Sequence, residues 1–223
     1  MKYVSIDIET SGLDVENNEI LSIGVIIEDT EKKLSFDEIP KFKCIIVQNR
    51  INGSPRAITM NSKIIQLMSD YQEAKSIEEK AKIETISGYK FLNENNAAQH
   101  IFDFLYLNGY AKEGFNNFKH SRFVNGTLMP MFNNEIEQIT INVAGKNFGT
   151  FDKLFLEKLP WWQKLIKIRQ RIIDPSVLYC DWINDNTLPS LSECKERLGI
   201  NNIVTHDALE DAWDVILLLR KFY

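Results

Sequence analysis

A chain of 223 residues with 44% apolar content is long enough to bury one sizeable α/β core and too apolar for a disordered tail, so one domain over residues 1–223 is the economical reading. The net charge of −5 excludes a general nucleic-acid coat, whose affinity would come from Lys and Arg on phosphates, but leaves room for an enzyme that gathers carboxylates around divalent cations. No secretory signal opens the sequence, no apolar run approaches the ~20 residues of a membrane span, and Cys44, Cys180 and Cys194 form no C-x-x-C pair. A cytoplasmic protein with no membrane partner is expected, its cysteines acting as small buried hydrophobes.

From Tyr3 to Glu9 apolar Val4, Ile6 and Ile8 alternate with Ser5, Asp7 and Glu9, the signature of a half-buried strand. The segment 10–14 breaks it, and Glu19–Glu28, Lys33–Phe36 and Phe42–Val47 read as further strands of a meander. A turn at 52–55 precedes helical spacing over Ile58–Ser69 and again over Ala97–Leu107; Tyr71–Asn96 between them, rich in Glu, Lys and Asn, predicts an exposed helix. Ala111–Gln138 has no clear period and reads as an irregular insertion or small hairpin. Ile139–Ala144 is β-branched, Asp152–Leu159 predicts a helix ended by Pro160, and Arg171–Asp174 a short strand. Leu188–Leu198 and His206–Phe222 carry apolar residues at helical spacing, with Pro189 suited to a first turn and Gly199 to a stop.

Three places could carry chemistry. Asp7 and Glu9, two apart on a strand, emerge on one face, as ligands of a hard divalent cation would; alone, such a pair more often marks a polar outer face. Ala144–Asp152 (AGKNFGTFD) is a strand end with a glycine-bearing turn that presents Asn147 and delivers Asp152 at a helix start, where an N-cap is the plainer reading. Thr205–Asp214 (THDALEDAWD) brings His206 and Asp211, which five helical residues would set about 140° apart. The two therefore meet only if His206 lies before the helix or in its first turn, with Thr205 or Asp207 as cap, while Asp207 and Asp214 compete with Asp211 for a ligand role. Between Asp152 and Arg171 the bases Lys153, Lys158, Lys164, Lys167, Arg169 and Arg171 outnumber the acids, which suits either a track for a single strand or a solvated face.

In order, SIDIETSGLD (5–14), AGKNFGTFD (144–152) and HDALEDAWD (206–214) resemble the three motifs of the DEDDh 3′→5′ exonucleases, a branch of the ribonuclease-H-like superfamily. Each has a plain alternative; their joint occurrence in this order does not. The resemblance implies an α/β fold with a mixed central sheet flanked by helices, with insertions near 71–95 and 111–138. It implies a phosphodiester hydrolase in which Asp7, Glu9, Asp152 and Asp211 hold two Mg²⁺, replaceable by Mn²⁺, and His206 is the general base. Thr10, Gly12, Leu13, Asn147 and Phe148 would contact a single-stranded DNA or RNA with a free 3′ end, releasing nucleoside 5′-monophosphates. The second motif departs from the commoner spacing, since Phe148–Phe151 put four residues between Asn147 and Asp152, as in oligoribonuclease-like members. A non-catalytic nucleic-acid-binding module and a proofreading subunit docked on a polymerase through 111–138 remain the alternatives, and a homodimer stays open.

Overall fold

The alternation at the start of the chain produces strand β1 (Lys2–Thr10), which pairs antiparallel with β2 (Ile20–Asp29), itself antiparallel to β3 (Lys41–Ile46). The computed structural model describes residues 1–110, 138–200 and 205–223, with the backbone of β5 (Ser121–Val124) and β6 (Thr127–Pro130) between them. A short β4 (Lys90–Leu92) runs parallel to β3, and β8 (Val143–Ala144) parallel to β1, giving a mixed five-stranded sheet of order β4-β3-β2-β1-β8. Two smaller pairings lie beside it, the β5-β6 hairpin and β7 (Ile139–Ile141) with β9 (Ile166–Ile168).

Helices cover both faces. Val4, Ile6 and Ile8 of β1 enter the largest core cluster with Ala97, Ala98, Ile101 and Phe102 of α4 (Glu94–Leu105). The opposite face of the same strand sends Tyr3 to Leu209, Ala212, Val215 and Ile216 of α9 (Ala208–Leu219). The Ser5 hydroxyl adds a bond to the Ala212 carbonyl at 2.7 Å, worth about 1 kcal/mol net. Beyond the end of α9, Arg220 donates to the fully buried Glu28 carboxylate of β2 at 2.7 Å and 3.2 Å, so the last helix is tied to the sheet at both ends. A third cluster places α2 (Ser62–Glu73) over β2 and β3 through Ile64, Met68, Leu21 and Ile45.

Several boundaries differ from those expected. Lys33–Phe36 is not a strand: Lys33 takes φ 44, and Leu34 and Phe36 fold onto the α9 cluster. The helical spacing at 58–69 resolves into α1 (Pro55–Met60) and α2, separated at Asn61. Within 71–96 the expected exposed helix exists as α3 (Ile77–Ser87), which buries no residue, but Phe91 and Leu92 form the edge strand β4. The helix α5 (Asp152–Leu156) stops before Pro160, followed by the short α6 (Trp162–Leu165). The strand expected at Arg171–Asp174 is a single bridge from Ile173 to Ala144. A turn of helix, α7 (Ser176–Tyr179), follows, and α8 (Leu191–Leu198) opens on a capping box of Ser190 and Glu193 rather than on Pro189, ending at Gly199 as expected. Of Ala111–Gln138, the backbone of the β5 and β6 strands and Gln138 are described, and the rest lies outside the described residues. Cys44 and Cys194 are buried as expected and Cys180 half-buried. Among the described residues no helix is long and apolar enough to cross a membrane.

Candidate active site

Alternation along β1 puts Asp7 and Glu9 on the face that α9 covers, in register with Gly24 and Ser22 of β2. The parallel pairing of β8 with β1 ends at Ser5 and Ala144, so the chain leaving β8 passes directly beside the acids. It passes very close: a Cβ on Gly145 would lie 2.9 Å from the Ile6 carbonyl oxygen. The turn then delivers Asp152, 4% exposed, whose Oδ1 accepts the Ile8 N–H at 3.1 Å, between the two β1 acids in sequence. Asp152 is not the cap of α5, which begins after Phe151 with no side-chain cap; its carboxylate is committed inward.

Helix α9 supplies the other side. Asp207 is its cap, Oδ1 accepting from the backbone N–H groups of Leu209 at 3.0 Å and Glu210 at 3.3 Å. His206 therefore stands just outside the helix, exposed and at φ 53, which removes the angular conflict that a continuous helix would impose. Asp211 lies on the buried face of α9, 6% exposed. Ligand atoms of Glu9, His206 and Asp211 fall within 4.8 Å of one another, a group able to hold a metal ion. The helix start can come this near because β2 carries Gly24 opposite Asp7: a Cβ there would sit 2.4 Å from the backbone of Ala208 and Leu209. Glycine inside a Val/Ile-rich strand is the sequence signal for such an approach.

The electrostatics agree with a cation site. Burial raises the pKa of Asp7 well above the usual carboxylate range, with the charges of Asp152, Asp211 and Glu9 adding to it. Burial likewise lifts Glu9, Asp152 and Asp211 each to about 7, with Asp207 adding to Glu9, and Glu9 adding to the other two. The Asn61 amide, a neighbour not foreseen, works the other way on Glu9. Asp211 Oδ1 is buried without a hydrogen-bond partner. Lys195, whose charge reaches Asp211, is bound to Asp214 at 2.5 Å. Mutually repelling carboxylates with an orphaned oxygen fit hard divalent cations, which take oxygen ligands. The rivals to Asp211 are otherwise engaged: Asp214 with Lys195, Asp207 with its cap and the Tyr89 hydroxyl.

The residues expected to touch substrate divide. Leu13 is 84% exposed and free to contact a ligand, whereas the Thr10 hydroxyl closes the turn by donating to the Gly12 carbonyl at 2.7 Å. Asn147 is exposed at φ 57, its N–H donating to Asp174 and its Oδ1 accepting from Thr150. Phe148, expected to contact the substrate, is instead fully buried in the main core, because the turn that exposes Asn147 points the next side chain inward. Phe151 is half-buried against Phe155, Trp162 is buried, and Trp161 is 39% exposed. In the basic stretch, Lys153 pairs with Glu157 and Lys158 with Glu16, while Lys167, Arg169 and Arg171 are exposed.

Residues 4–123, more than half of the chain, match the family described as exonuclease (RNase_T). The chain belongs to the exonuclease family. The matched stretch carries Asp7 and Glu9 and ends before Asp152, His206 and Asp211, which join the site only through the fold. No curated protein matches the sequence. Among solved structures, Exonuclease I of E. coli in complex with a 5cy-dT13 oligonucleotide is similar at TM-score 0.53 and 15% identity, over 98% of this chain and 40% of that one. Exonuclease I of Methylocaldum szegediense is similar at 0.54 and 14%, over 99% and 40%. The nuclease domain of 3′hExo, a DEDDh family member bound to rAMP, is similar at 0.55 and 12%, over 99% and 90%. The chain thus spans about 40% of the Exonuclease I proteins and nearly all of the 3′hExo domain, and shares with them the expected ribonuclease-H-like architecture.

Proposed function

We propose that this member of the exonuclease family hydrolyses single-stranded DNA or RNA from its 3′ end, with Asp7, Glu9, Asp152 and Asp211 holding two divalent cations and His206 as general base. The observation that carries the reading is the convergence of Glu9, His206 and Asp211 within 4.8 Å, from elements almost two hundred residues apart, beside Asp7 and Asp152. When bound, a pair of Mg²⁺ or Mn²⁺ ions supplies the positive charge and the polarised water that hydrolysis of a phosphodiester needs. The four carboxylates would hold these ions, bringing positive charge to a scissile phosphate bound there. The imidazole of His206, exposed at the rim, would take the proton of the attacking water, since hard cations leave nitrogen ligands for oxygen. Exposed Leu13 would pack on the terminal nucleotide.

A 5′-labelled single-stranded DNA or RNA oligonucleotide incubated with the chain and Mg²⁺ or Mn²⁺ should shorten stepwise from the 3′ end, and should stay intact with EDTA or with Asp7→Ala. Intact oligonucleotide under all conditions, with metal-independent binding, would instead support a non-catalytic nucleic-acid module.

A further inference from the structure

Asp207 has more partners than a helix cap requires. One carboxylate oxygen satisfies the cap by accepting from Leu209 and Glu210. The other accepts the Tyr89 hydroxyl at 2.6 Å and lies 3.8 Å from the Lys43 ammonium, which itself sits 3.9 Å from the centre of the Tyr89 ring. Tyr89 comes from the junction of α3 and β4 and Lys43 from β3, so neither belongs to any of the three motifs. Tyr89 is 5% exposed, and burial together with its bond to Asp207 raises its pKa far above the usual phenol range, keeping it a donor.

The residue before Asp207 is His206, in the left-handed region that a non-glycine residue occupies only when the surrounding chain holds it there. We infer that Tyr89 and Lys43 are positioning residues for His206, acting through Asp207: they fix the second carboxylate oxygen in place, and with it the turn that aims the imidazole at Glu9 and Asp211. A cap alone tolerates rotation about its single accepted edge; the Tyr89 bond removes that freedom by holding the opposite edge. Lys43 also offsets a negative charge that would otherwise add to the acid cluster, in which Asp207 already raises the pKa of Glu9 and Asp211.

The inference rests on the exonuclease reading for its catalytic consequence, but not for its structural one, and the test separates the two. Tyr89→Phe keeps the buried ring and removes only the hydroxyl. It should lower kcat on an oligonucleotide by roughly ten- to a hundredfold, as small misplacements of reacting groups do, with KM changed less than about twofold. The melting temperature should stay close to that of the native chain, and Lys43→Met should give a smaller loss of the same kind. Asp207→Ser keeps a cap acceptor but lacks the second oxygen that Tyr89 binds, so Tyr89→Phe added to it should cost nothing further, because both remove one contact. In the metal-free protein the His206 ring resonances should shift in Tyr89→Phe and not in Tyr71→Phe, a control whose ring stacks on Phe91 at 4.1 Å. Unmoved His206 resonances, an unchanged kcat, or losses that add in the double variant would each overturn the inference. A native chain with no metal-dependent hydrolysis would overturn the exonuclease reading alone, leaving the resonances to judge the brace.

Discussion

Asp7, Glu9 and Asp152 stand on or against the central sheet, whereas His206 and Asp211 come from the start of the last helix, and different forces hold the two groups. On the sheet side, position follows from the strand period and from a backbone hydrogen bond between Ile8 and Asp152, so the carboxylates have little freedom. On the helix side, position follows from how α9 docks: a glycine on β2, a capping aspartate, and Arg220 on buried Glu28 at the far end. The sheet side concentrates buried carboxylates, and on the proposed reading the helix side decides whether they act on a substrate. Catalysis should therefore be lost in two distinguishable ways.

Asp7→Ala should give the largest effect, about a 10³-fold loss of hydrolysis, the upper range for removing one preorganised electrostatic group. The same change should raise the melting temperature in EDTA at pH 8, because it removes a carboxylate that burial, and then the charges of Asp152, Asp211 and Glu9, disfavour. Thermal melts with and without Mn²⁺ would check this, and a variant that keeps its metal-induced stabilisation would remove Asp7 from the ligand set. His206→Ala should cost about 10²-fold, the low end for a general base, yet keep most of that metal-induced stabilisation. Equal loss of metal response in both variants would make His206 a ligand rather than a base.

Gly24→Ala should lift the start of α9 from the sheet, since the new Cβ would meet backbone at 2.4 Å. About 1–3 kcal/mol of stability should go, read from urea melts, together with roughly tenfold in kcat. Ile23→Val, one residue away in the buried core, should cost about 0.5–1.5 kcal/mol and leave kcat intact. If both variants lose activity only in proportion to stability, close approach at Gly24 has no catalytic meaning.

A separate effect, on stability rather than on hydrolysis, is the pH dependence of the metal-free protein. Folding raises Glu9 from 4.5, and Asp152 and Asp211 from 3.8, to about 7, so the fold favours their protonated forms. Their contribution to stability is complete below pH 4 and is lost as pH rises through about 7, the reverse of an acid held by a salt bridge. Melting temperatures in EDTA should fall between pH 5 and pH 8, and Mg²⁺ should restore more at pH 8 than at pH 5. A flat profile in EDTA would show that the cluster is hydrated rather than desolvated.

The sheet side was legible in the sequence because a strand's period of two assigns faces without knowledge of any partner: Asp7 and Glu9 share a side wherever β1 lies. Asp152 and Asp211 could be chosen only from the joint order of the motifs, since Asp207 and Asp214 fit helical spacing equally well. In the structure Asp207 is bound by Tyr89 and Asp214 by Lys195, residues distant along the chain, and this is what favours Asp211. The burial of Phe148 is not legible in the sequence, because a turn carries no periodicity to tell an inward side chain from an outward one. Lys33–Phe36 is a loop rather than a strand, and apolar alternation over four residues describes a loop packed on a helix as well as a strand.

By itself the sequence determined the class of fold, the acids on the first strand and the family, all of which depend on local periodicity or on the order of short motifs. Tertiary structure alone decided which aspartates face the site, that His206 stands outside its helix, and that Gly24, Tyr89 and Lys43 support it. Those choices rest on close approach and hydrogen bonding between segments far apart in the chain, and the spacing of residues along a sequence holds no record of such distances.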